Sequence, residues 1–350
     1  MSYINNRSFY QKVFWAGVVL LILVLVTVAT FGVAKISWNQ SLKIILNKLP
    51  VLNKLIPVEN IKYSSRNIVL NLRLPRILLA ALVGAGLAVT GAAFQGIFKN
   101  PLAEPYVVGI SSGAALGAAL TMALGAEKIA FGFGLVTVNA FLGAVGTGLL
   151  VYNIARIGHR ISSITLLLTG TAVNILLTSL VSLIMTFKRE QIERIVIWTM
   201  GSVATADWNE VLTVLPVVFG VMIVIRIFAR DLNMMLLGDE SAKSLGVEVE
   251  KVKKYLLLIC SLMVAMIVSV SGVIGFVGLI IPHMVRMLFG PDHRVVIPFS
   301  ALGGALLLII CDTIARTIAA PNEIPIGVIT AICGVPFFLS LLYQNKKKVF

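Results

Sequence analysis

Long apolar runs, separated by shorter polar segments, set the pattern of this chain. Most runs are close to the about 20 residues that an α-helix needs to cross a bilayer. They predict about ten spans, at residues 13–34, 74–98, 105–124, 131–155, 162–187, 211–229, 252–270, 273–289, 295–318 and 325–343. The expected fold is therefore an all-α polytopic membrane protein, with one transmembrane domain over residues 1–350 and both termini on one side.

The longest polar segment in the second half of the chain is 231–254. It contains two short amphipathic pieces, 232–237 and a second one that begins at Asp239. Gly238 separates the pieces, and Gly246 is a natural helix stop. Two interpretations stay open. The segment is either a docking element for a soluble partner or an ordinary surface loop between two spans.

A second polar segment, 35–73, is predicted to be a long loop. It is rich in lysine and arginine and carries a single acid, Glu59. The lysines at 346–348 and the acid-free turn at 156–160 indicate a cytoplasmic location for the termini. The basic loop would then lie outside, so charge counting alone does not orient the chain.

Composition narrows the function classes. With 58% hydrophobic and only 13% charged residues, a soluble domain of this size could not hide its apolar surface. The net charge of +14 is explained by lipid headgroups, without any nucleic acid partner. The three cysteines lie inside apolar runs, which favours core packing, and the three histidines are scattered and form no metal triad. No P-loop motif is found in the sequence, so the chain is not expected to hydrolyse ATP itself.

Six short motifs occur in a fixed order along the chain. They are Arg73-Leu-Pro-Arg76; Gly91-Ala-Ala-Phe-Gln95 with Asn100-Pro-Leu-Ala-Glu-Pro105; Leu237-Gly-Asp-Glu-Ser-Ala-Lys-Ser-Leu-Gly246; Gly275-Phe-Val-Gly-Leu-Ile-Ile-Pro-His283; Asp292-His-Arg294; and Glu323-Ile-Pro-Ile-Gly327. Together they resemble the signature of FecCD-type permeases of type II ABC importers, a family that imports iron–siderophore complexes, haem and cobalamin. The first span and the 35–73 segment match none of these motifs.

The resemblance implies a permease that pairs with a second copy or a paralogue in a prokaryotic cell membrane, with both termini cytoplasmic. Two cytoplasmic ATPase subunits would use ATP and magnesium, while the permease would bind no cofactor or metal of its own. An extracytoplasmic binding protein would deliver the cargo, with an iron chelate such as a siderophore complex or haem ranked first. Cobalamin is the alternative within the family. An ion-coupled carrier is the alternative from another class, but it usually needs buried ionisable groups, and only Asp312 lies deep in an apolar run.

The resemblance also assigns roles to residues on the cytoplasmic side. The segment 231–251 would be the ATPase-coupling loop, with its contacts at Gly238, Asp239, Glu240, Ser241, Ala242, Leu245 and Gly246. The translocation gate would lie at Asn100, Leu102, Ser162 and Ser163. The alternative for the gate is structural, because Asn100-Pro101 also reads as a helix stop and Ser162 as a helix N-cap.

On the outer side, the resemblance implies that Arg73, Arg76 and Arg316 hold acidic residues of the binding protein. A guanidinium suits this role because its planar fork matches a carboxylate. The alternative for Arg73 and Arg76 is that they extend from a helix end toward the headgroups. Asp312, four residues before Arg316 on the same predicted helix, is expected to pair with Arg316 and orient it.

Overall fold

Ten apolar helices dominate the structure, a computed structural model that describes residues 6–32, 34–48, 60–126, 129–130, 133–158, 160–161 and 163–349. Within those residues, 7 helices are long and apolar enough to cross a membrane. Shorter apolar helices occupy Ile110–Ala123, Val277–Phe289 and Ile326–Ser340. The predicted all-α fold with about ten spans is thus confirmed.

The described residues of the first half of the chain form seven α-helices and four very short strands. The helices are α1 (Arg7–Val28), α2 (Trp38–Asn47), α3 (Tyr63–Asn67), α4 (Leu74–Phe98), α5 (Ile110–Ala123), α6 (Leu135–Ala155) and α7 (Ser163–Phe187). A π-helical segment (Ile68–Arg73) joins α3 to α4, and a 3₁₀ turn (Pro105–Val108) precedes α5. Two antiparallel pairs flank α6: β1 (Ile129–Ala130) with β2 (Phe133–Gly134), and β3 (Arg156–Ile157) with β4 (Arg160–Ile161).

The second half is helical throughout its regular structure. It contains a 3₁₀ turn (Arg189–Gln191), α8 (Ile192–Thr199), α9 (Trp208–Ile227), α10 (Ala229–Met235), α11 (Asp239–Ser244), α12 (Val249–Ser271), α13 (Val277–Phe289), α14 (His293–Thr317) and α15 (Ile326–Val349). The polar segment between α9 and α12 therefore holds two short helices, as its amphipathic pattern predicted.

The prediction of a loop over 35–73 is wrong for most of the described part of that segment. The helix α2 begins with a capping box, in which Ser37 and Gln40 exchange side chain to backbone hydrogen bonds of 3.3 Å. The helix that contains α3 and α4 extends well beyond the predicted second span, since Tyr63–Phe98 is one run of 36 residues. A small separate core of Ile36, Ile44, Ile61 and Val69 holds these pieces together.

The first span is also displaced from its predicted bounds of 13–34, because α1 runs from Arg7 to Val28. Its last carbonyls serve as acceptors for arginines from elsewhere in the chain. Arg316 Nη2 donates to the Val28 carbonyl at 2.9 Å, and Arg73 Nη1 donates to the Ala29 carbonyl at 2.8 Å. The apolar residues after Val28 therefore belong to a folded turn at the end of the helix.

The eighth predicted span, 273–289, is shorter than expected. Helix α13 starts only at Val277, after a stretch of non-helical backbone in which Gly272 and Phe276 have positive φ angles of 65° and 68°. The Glu104 carboxylate accepts a hydrogen bond from the Phe276 N–H at 2.7 Å, and the Tyr106 hydroxyl donates to the Ile274 carbonyl at 2.8 Å. Side chains near the 3₁₀ turn thus satisfy backbone groups that the broken helix leaves open.

Helix α4 lies at the centre of the bundle. Of its most apolar 18 residues, 78% are buried inside the chain, against 6% for α1. Glycines allow the close approach of its neighbours, because a Cβ atom on Gly84 would overlap the Gly304 carbonyl, and one on Gly91 would overlap that of Gly278. Small residues at such crossings are typical of membrane helix packing.

Contacts define two opposite ends of the bundle. At one end, which we call the arginine end, Arg73, Arg76 and Arg316 connect the start of α4 to the ends of α1 and α14. At the other end, which we call the Asp239 end, Asp239 contacts the residue that follows α4. Tyr10, near the start of α1, donates to the Phe289 carbonyl at this same end.

Candidate coupling and docking sites

The α10–α11 element, residues 229–246, is a compact unit at the Asp239 end. Leu232 and Met235 of α10 and Ala242 of α11 are fully buried and pack into the main core. Gly238 and Gly246 bound α11 with positive φ angles of 113° and 86°, which glycine adopts at little cost. The buried residues fix the element to the bundle, and the glycines allow its tight turns.

The outer surface of this element is unusually apolar for a polar segment. Leu237 and Leu245 are 68% and 57% exposed, and Leu236 is also exposed. Glu240, Ser241 and Gly246 are exposed beside them, whereas Ala242 is not. An exposed apolar group with a polar rim is typical of a protein contact surface.

Asp239 has a different environment from these exposed residues. Its two carboxylate oxygens accept hydrogen bonds from Lys99 Nζ at 2.5 Å and from Lys253 Nζ at 2.6 Å. Burial acts to raise the pKa of Asp239, but the hydrogen bonds from Lys253 and Lys99 outweigh it, so the pKa lies below its usual value. This carboxylate is therefore held ionised between two cations of its own chain.

A second polar cluster attaches α10 to the start of α14. Asn233 donates to the Asp292 carboxylate at 2.7 Å, and its carbonyl oxygen accepts from the His293 N–H at 2.8 Å. Asp292 also caps α14 by accepting from the Arg294 N–H at 2.9 Å. Burial acts to raise the pKa of Asp292, but hydrogen bonds, chiefly from Arg294, lower it overall. Asp292 belongs to the Asp292-His-Arg294 motif, whereas no motif in the sequence pointed to Asn233.

The predicted gate residues begin directly after α4. Lys99 ends that helix with left-handed backbone angles, φ 51° and ψ 31°. The Asn100 side chain then accepts a hydrogen bond from the Leu102 N–H at 2.9 Å, so Asn100 stabilises the turn that stops the helix. Ser162 lies outside the described residues, and Ser163 is the first residue of α7. The gate assignment stays a prediction.

At the arginine end, Arg76 forms the closest ion pairs. Its Nη2 lies 2.8 Å from Asp312 Oδ1, its Nε lies 2.9 Å from the same oxygen, and its Nη1 lies 2.9 Å from Glu323 Oε1. Asp312 is fully buried, and Arg76 is nearly so. The expected pairing of Asp312 with Arg316 is present as an ion pair, with Arg316 Nε 3.8 Å from Asp312 Oδ2, but Arg76 is a second and nearer partner. Sequence spacing finds neighbours one helical turn apart, whereas Arg76 lies on another helix.

The other two arginines are also buried against the chain itself. Arg73 donates to the carbonyls of Ala29, Thr30 and Ala34 at 2.8, 3.1 and 2.6 Å. Arg316 donates to the Val28 carbonyl. All three predicted docking residues are thus brought together, but as an internal network with limited exposure. Their role in holding a binding protein stays a prediction.

The described residues contain no metal-binding cluster, and their cysteines are free thiols. No group of three or more His, Cys, Asp and Glu side chains there could hold a metal ion. Cys260 and Cys311 are buried, and Cys333 is exposed. The features that stand out are therefore surfaces and ion pairs at the two ends of the bundle.

A bundle of ten apolar helices among the described residues, one of them broken, defines a polytopic membrane protein. The FecCD transport family model matches residues 19–344. The chain is 44% identical over 282 residues to the ABC transporter permease protein YvrB of Bacillus subtilis, covering 80% of each chain. It is 41% identical over 282 residues to the hemin transport system permease protein HmuU of Yersinia pestis, covering 80% of this chain and 84% of that one. The chain belongs to the FecCD transport family.

A solved structure has the same overall fold. It is described as an inward-facing conformation of a metal-chelate type ABC transporter and superposes with a TM-score of 0.81 at 32% identity, covering 95% of this chain and 99% of that one. The protein is therefore a multi-pass membrane permease subunit of a type II ABC importer. ATP hydrolysis takes place in separate nucleotide-binding subunits, and family membership also implies a substrate-binding partner and dimerisation.

Proposed function

We propose that this chain imports an iron chelate, either a siderophore complex or haem, from an extracytoplasmic binding protein into the cytoplasm. It would pair with a second copy or a paralogue in the membrane and bind cytoplasmic ATPase subunits through the α10–α11 element. The observation that carries the proposal is the separation of two surfaces. A rigid element with exposed leucines lies at one end of the bundle, and an arginine-rich network lies at the other.

The proposed orientation places the Asp239 end in the cytoplasm. The start of α1 lies at that end, where Tyr10 contacts Phe289. Helix α15 begins at Ile326, whose N–H donates to the Gly201 carbonyl, and continues to Val349. A short connection joins the arginine end of α14 to the start of α15, so α15 runs back toward the Asp239 end. Both termini would then be cytoplasmic, as expected.

The proposed cargo is chosen from the names of two relatives and from the chemistry of a chelate, whose metal already has its ligands. One relative is named for hemin, and an iron chelate would not require a metal ligand from the permease. A second candidate is cobalamin, because the cobalamin import system permease protein BtuC of Halobacterium salinarum is 44% identical over 279 residues, covering 80% of this chain and 74% of that one. An ion-coupled carrier is disfavoured, since the deeply buried Asp312 is already paired with Arg76.

The gate and docking roles complete the proposal. Asn100, Leu102, Ser162 and Ser163 would line the cytoplasmic constriction, where small polar groups offer no deep binding site. Arg73, Arg76 and Arg316 would receive carboxylates of the binding protein, and Arg73 also supports the turn after α1 through its hydrogen bonds to the Ala29 and Thr30 carbonyls. Glu323, whose side chain is 41% exposed, is the most accessible acid of the Arg76 network, so a partner would approach from its side.

The test is uptake by proteoliposomes that contain the importer complex purified through a tag on this chain. Ferric hydroxamate, hemin and cobalamin are supplied one at a time with the binding protein, with and without ATP inside. We expect ATP-dependent accumulation of an iron chelate. Accumulation of cobalamin alone would select the second candidate. ATP-independent uptake driven by an ion gradient would contradict the proposed function.

A further inference from the structure

Asp239 connects the α10–α11 element to two other helices. Its Oδ1 accepts from Lys99, the residue that ends α4, and its Oδ2 accepts from Lys253 on α12. These contacts are directed into the chain, whereas Leu237 and Leu245 lie on the exposed surface. Asp239 therefore differs from the residues that a docked partner would cover.

The Lys99 contact reaches the loop that contains two proposed gate residues. Lys99 is in left-handed conformation, and the next residue, Asn100, accepts from the Leu102 N–H at 2.9 Å. These two features fold residues 99–102 into a tight turn. A displacement of Lys99 therefore moves Asn100 and Leu102 with it, because a compact hydrogen-bonded turn shifts as a unit.

The Lys253 contact fixes the other side of the carboxylate. Lys253 is only 6% exposed, so its ammonium group needs a counter-charge within the protein. Asp239 supplies that charge at 2.6 Å. Hydrogen bonds between two ionised groups are stronger and more directional than neutral ones. Two of them make Asp239 a stiff connection rather than a loose surface contact.

We infer that Asp239 is a positioning residue that transmits movement of the α10–α11 element to the gate loop at residues 99–102. This inference rests on the proposed function, since it takes the element as the ATPase contact. The ATPase would press on the exposed leucines, and the Asp239–Lys99 ion pair would carry the displacement to the end of α4. Neither Asp239 nor Lys99 would need to touch the ATPase.

The test measures coupling in the reconstituted importer complex. Asp239→Asn and Lys99→Met are compared with the unmodified chain for cargo molecules moved per ATP hydrolysed, using whichever of ferric hydroxamate, hemin and cobalamin the unmodified complex transports. We expect this ratio to fall at least about tenfold, the size typical of losing a hydrogen bond between charged groups. The ATPase subunit should still copurify. Lys99→Arg should retain most of the ratio, because it keeps the cation.

Two comparisons distinguish transmission through the Asp239–Lys99 ion pair from a general defect of the complex. The double variant Asp239→Asn with Lys99→Met should be no worse than the single variants, since both remove the same interaction. Lys12→Gln removes an exposed cation near the start of α1, outside residues 231–251, and should leave the ratio unchanged. The control therefore matches the charge change without touching residues 99–102.

Three results would overturn the inference. An unchanged ratio in both single variants would show that the ion pair transmits nothing, while leaving the docking surface intact. Loss of the ATPase subunit from Asp239→Asn alone would show that Asp239 contacts the partner directly. Additive effects in the double variant would show that the two residues act separately. Failure of the unmodified chain to copurify with any ATPase would instead contradict the proposed function.

Discussion

Arg76 and Asp312 form a buried ion pair that joins the first turn of α4 to the last turns of α14. The distances are 2.8 Å from Arg76 Nη2 and 2.9 Å from Arg76 Nε to the same oxygen, Asp312 Oδ1. Buried ion pairs add little net stability when compared with apolar residues, but breaking one leaves an uncompensated charge. The pair therefore fixes how the two central helices meet at the arginine end.

We predict that Asp312→Asn or Arg76→Leu alone destabilises the protein by about 3–5 kcal/mol, because each removes the nearest counter-charge of a buried group. The measurement is thermal unfolding of the purified chain in one detergent. The double variant Arg76→Leu with Asp312→Leu should unfold at a higher temperature than either single variant. Glu248→Gln, which removes an exposed charge, is the control and should show no measurable change. Equal unfolding temperatures for all variants would contradict the pair's structural role.

The docking role of the arginines predicts opposite effects for two neighbouring charges. Arg316→Glu should weaken binding-protein affinity, since it places a second acid beside Asp312. Glu323→Gln should raise affinity, because it removes a carboxylate that competes for Arg76. Each change should be about tenfold at low salt and smaller at high salt, because dissolved ions screen the attraction between the network and the carboxylates of the approaching partner. The measurement is the affinity of the purified binding protein for the reconstituted complex of each variant. Unchanged, salt-independent affinity in both variants would leave the network with a structural role alone.

The exposed leucines of the α10–α11 element should carry the ATPase contact. Leu237→Glu and Leu245→Glu should each reduce copurification of the ATPase subunit at least about tenfold, because a buried leucine contributes about 1.5–3 kcal/mol and a buried unpaired charge costs more. Leu72→Glu is the matched control, since Leu72 is 60% exposed at the arginine end. Equal copurification of all three variants would show that the ATPase binds elsewhere.

Much of the bundle could be predicted from the apolar runs, because membrane helices must satisfy their own backbone and cover it with apolar side chains. The helices α2 and α3 were missed since the segment is polar and basic, and the small core that holds it depends on only a few scattered apolar residues. The start of α13 was misplaced because Glu104 and Tyr106, which stabilise the unwound backbone, come from another part of the chain.

The candidate sites divide in the same way. The two helices of the α10–α11 element follow from local amphipathic pattern and glycine positions. The partners of Asp239 and Arg76 do not, because Lys99 is 140 residues away from Asp239, and Asp312 is 236 residues away from Arg76. Local spacing predicted only the pair of Asp312 with Arg316, which lie one turn apart on the same helix. In that pair Arg316 Nε lies 3.8 Å from Asp312 Oδ2, farther than Arg76 Nη2, which lies 2.8 Å from Asp312 Oδ1. Long-range charge pairs require the packing of α4 to be known first.

Helices α4 and α13 cross in close contact at Gly91 and Gly278. A Cβ atom added to Gly91 would overlap the Gly278 carbonyl. The atoms it would meet all belong to the Gly278 backbone, which cannot rotate away as a side chain could. Gln95, one turn later on α4, donates to the Gly278 and Leu279 carbonyls at 3.3 and 3.1 Å. Any separation of the two helices at Gly91 therefore also stretches these buried hydrogen bonds.

We expect Gly91→Ala to destabilise the protein by about 1–3 kcal/mol, the usual cost of overpacking. Gly220→Ala on α9 is the matched control, because nothing lies within 4 Å of its added Cβ. There the substitution should be neutral or stabilise by about 0.5–1 kcal/mol, since alanine loses less backbone entropy in a helix. Thermal unfolding of both variants in one detergent gives the comparison. If Gly91→Ala unfolds at the same temperature as Gly220→Ala, the close crossing of α4 and α13 is wrong. A lower temperature for Gly91→Ala alone would show that this glycine sets the distance between the central helix and the broken one.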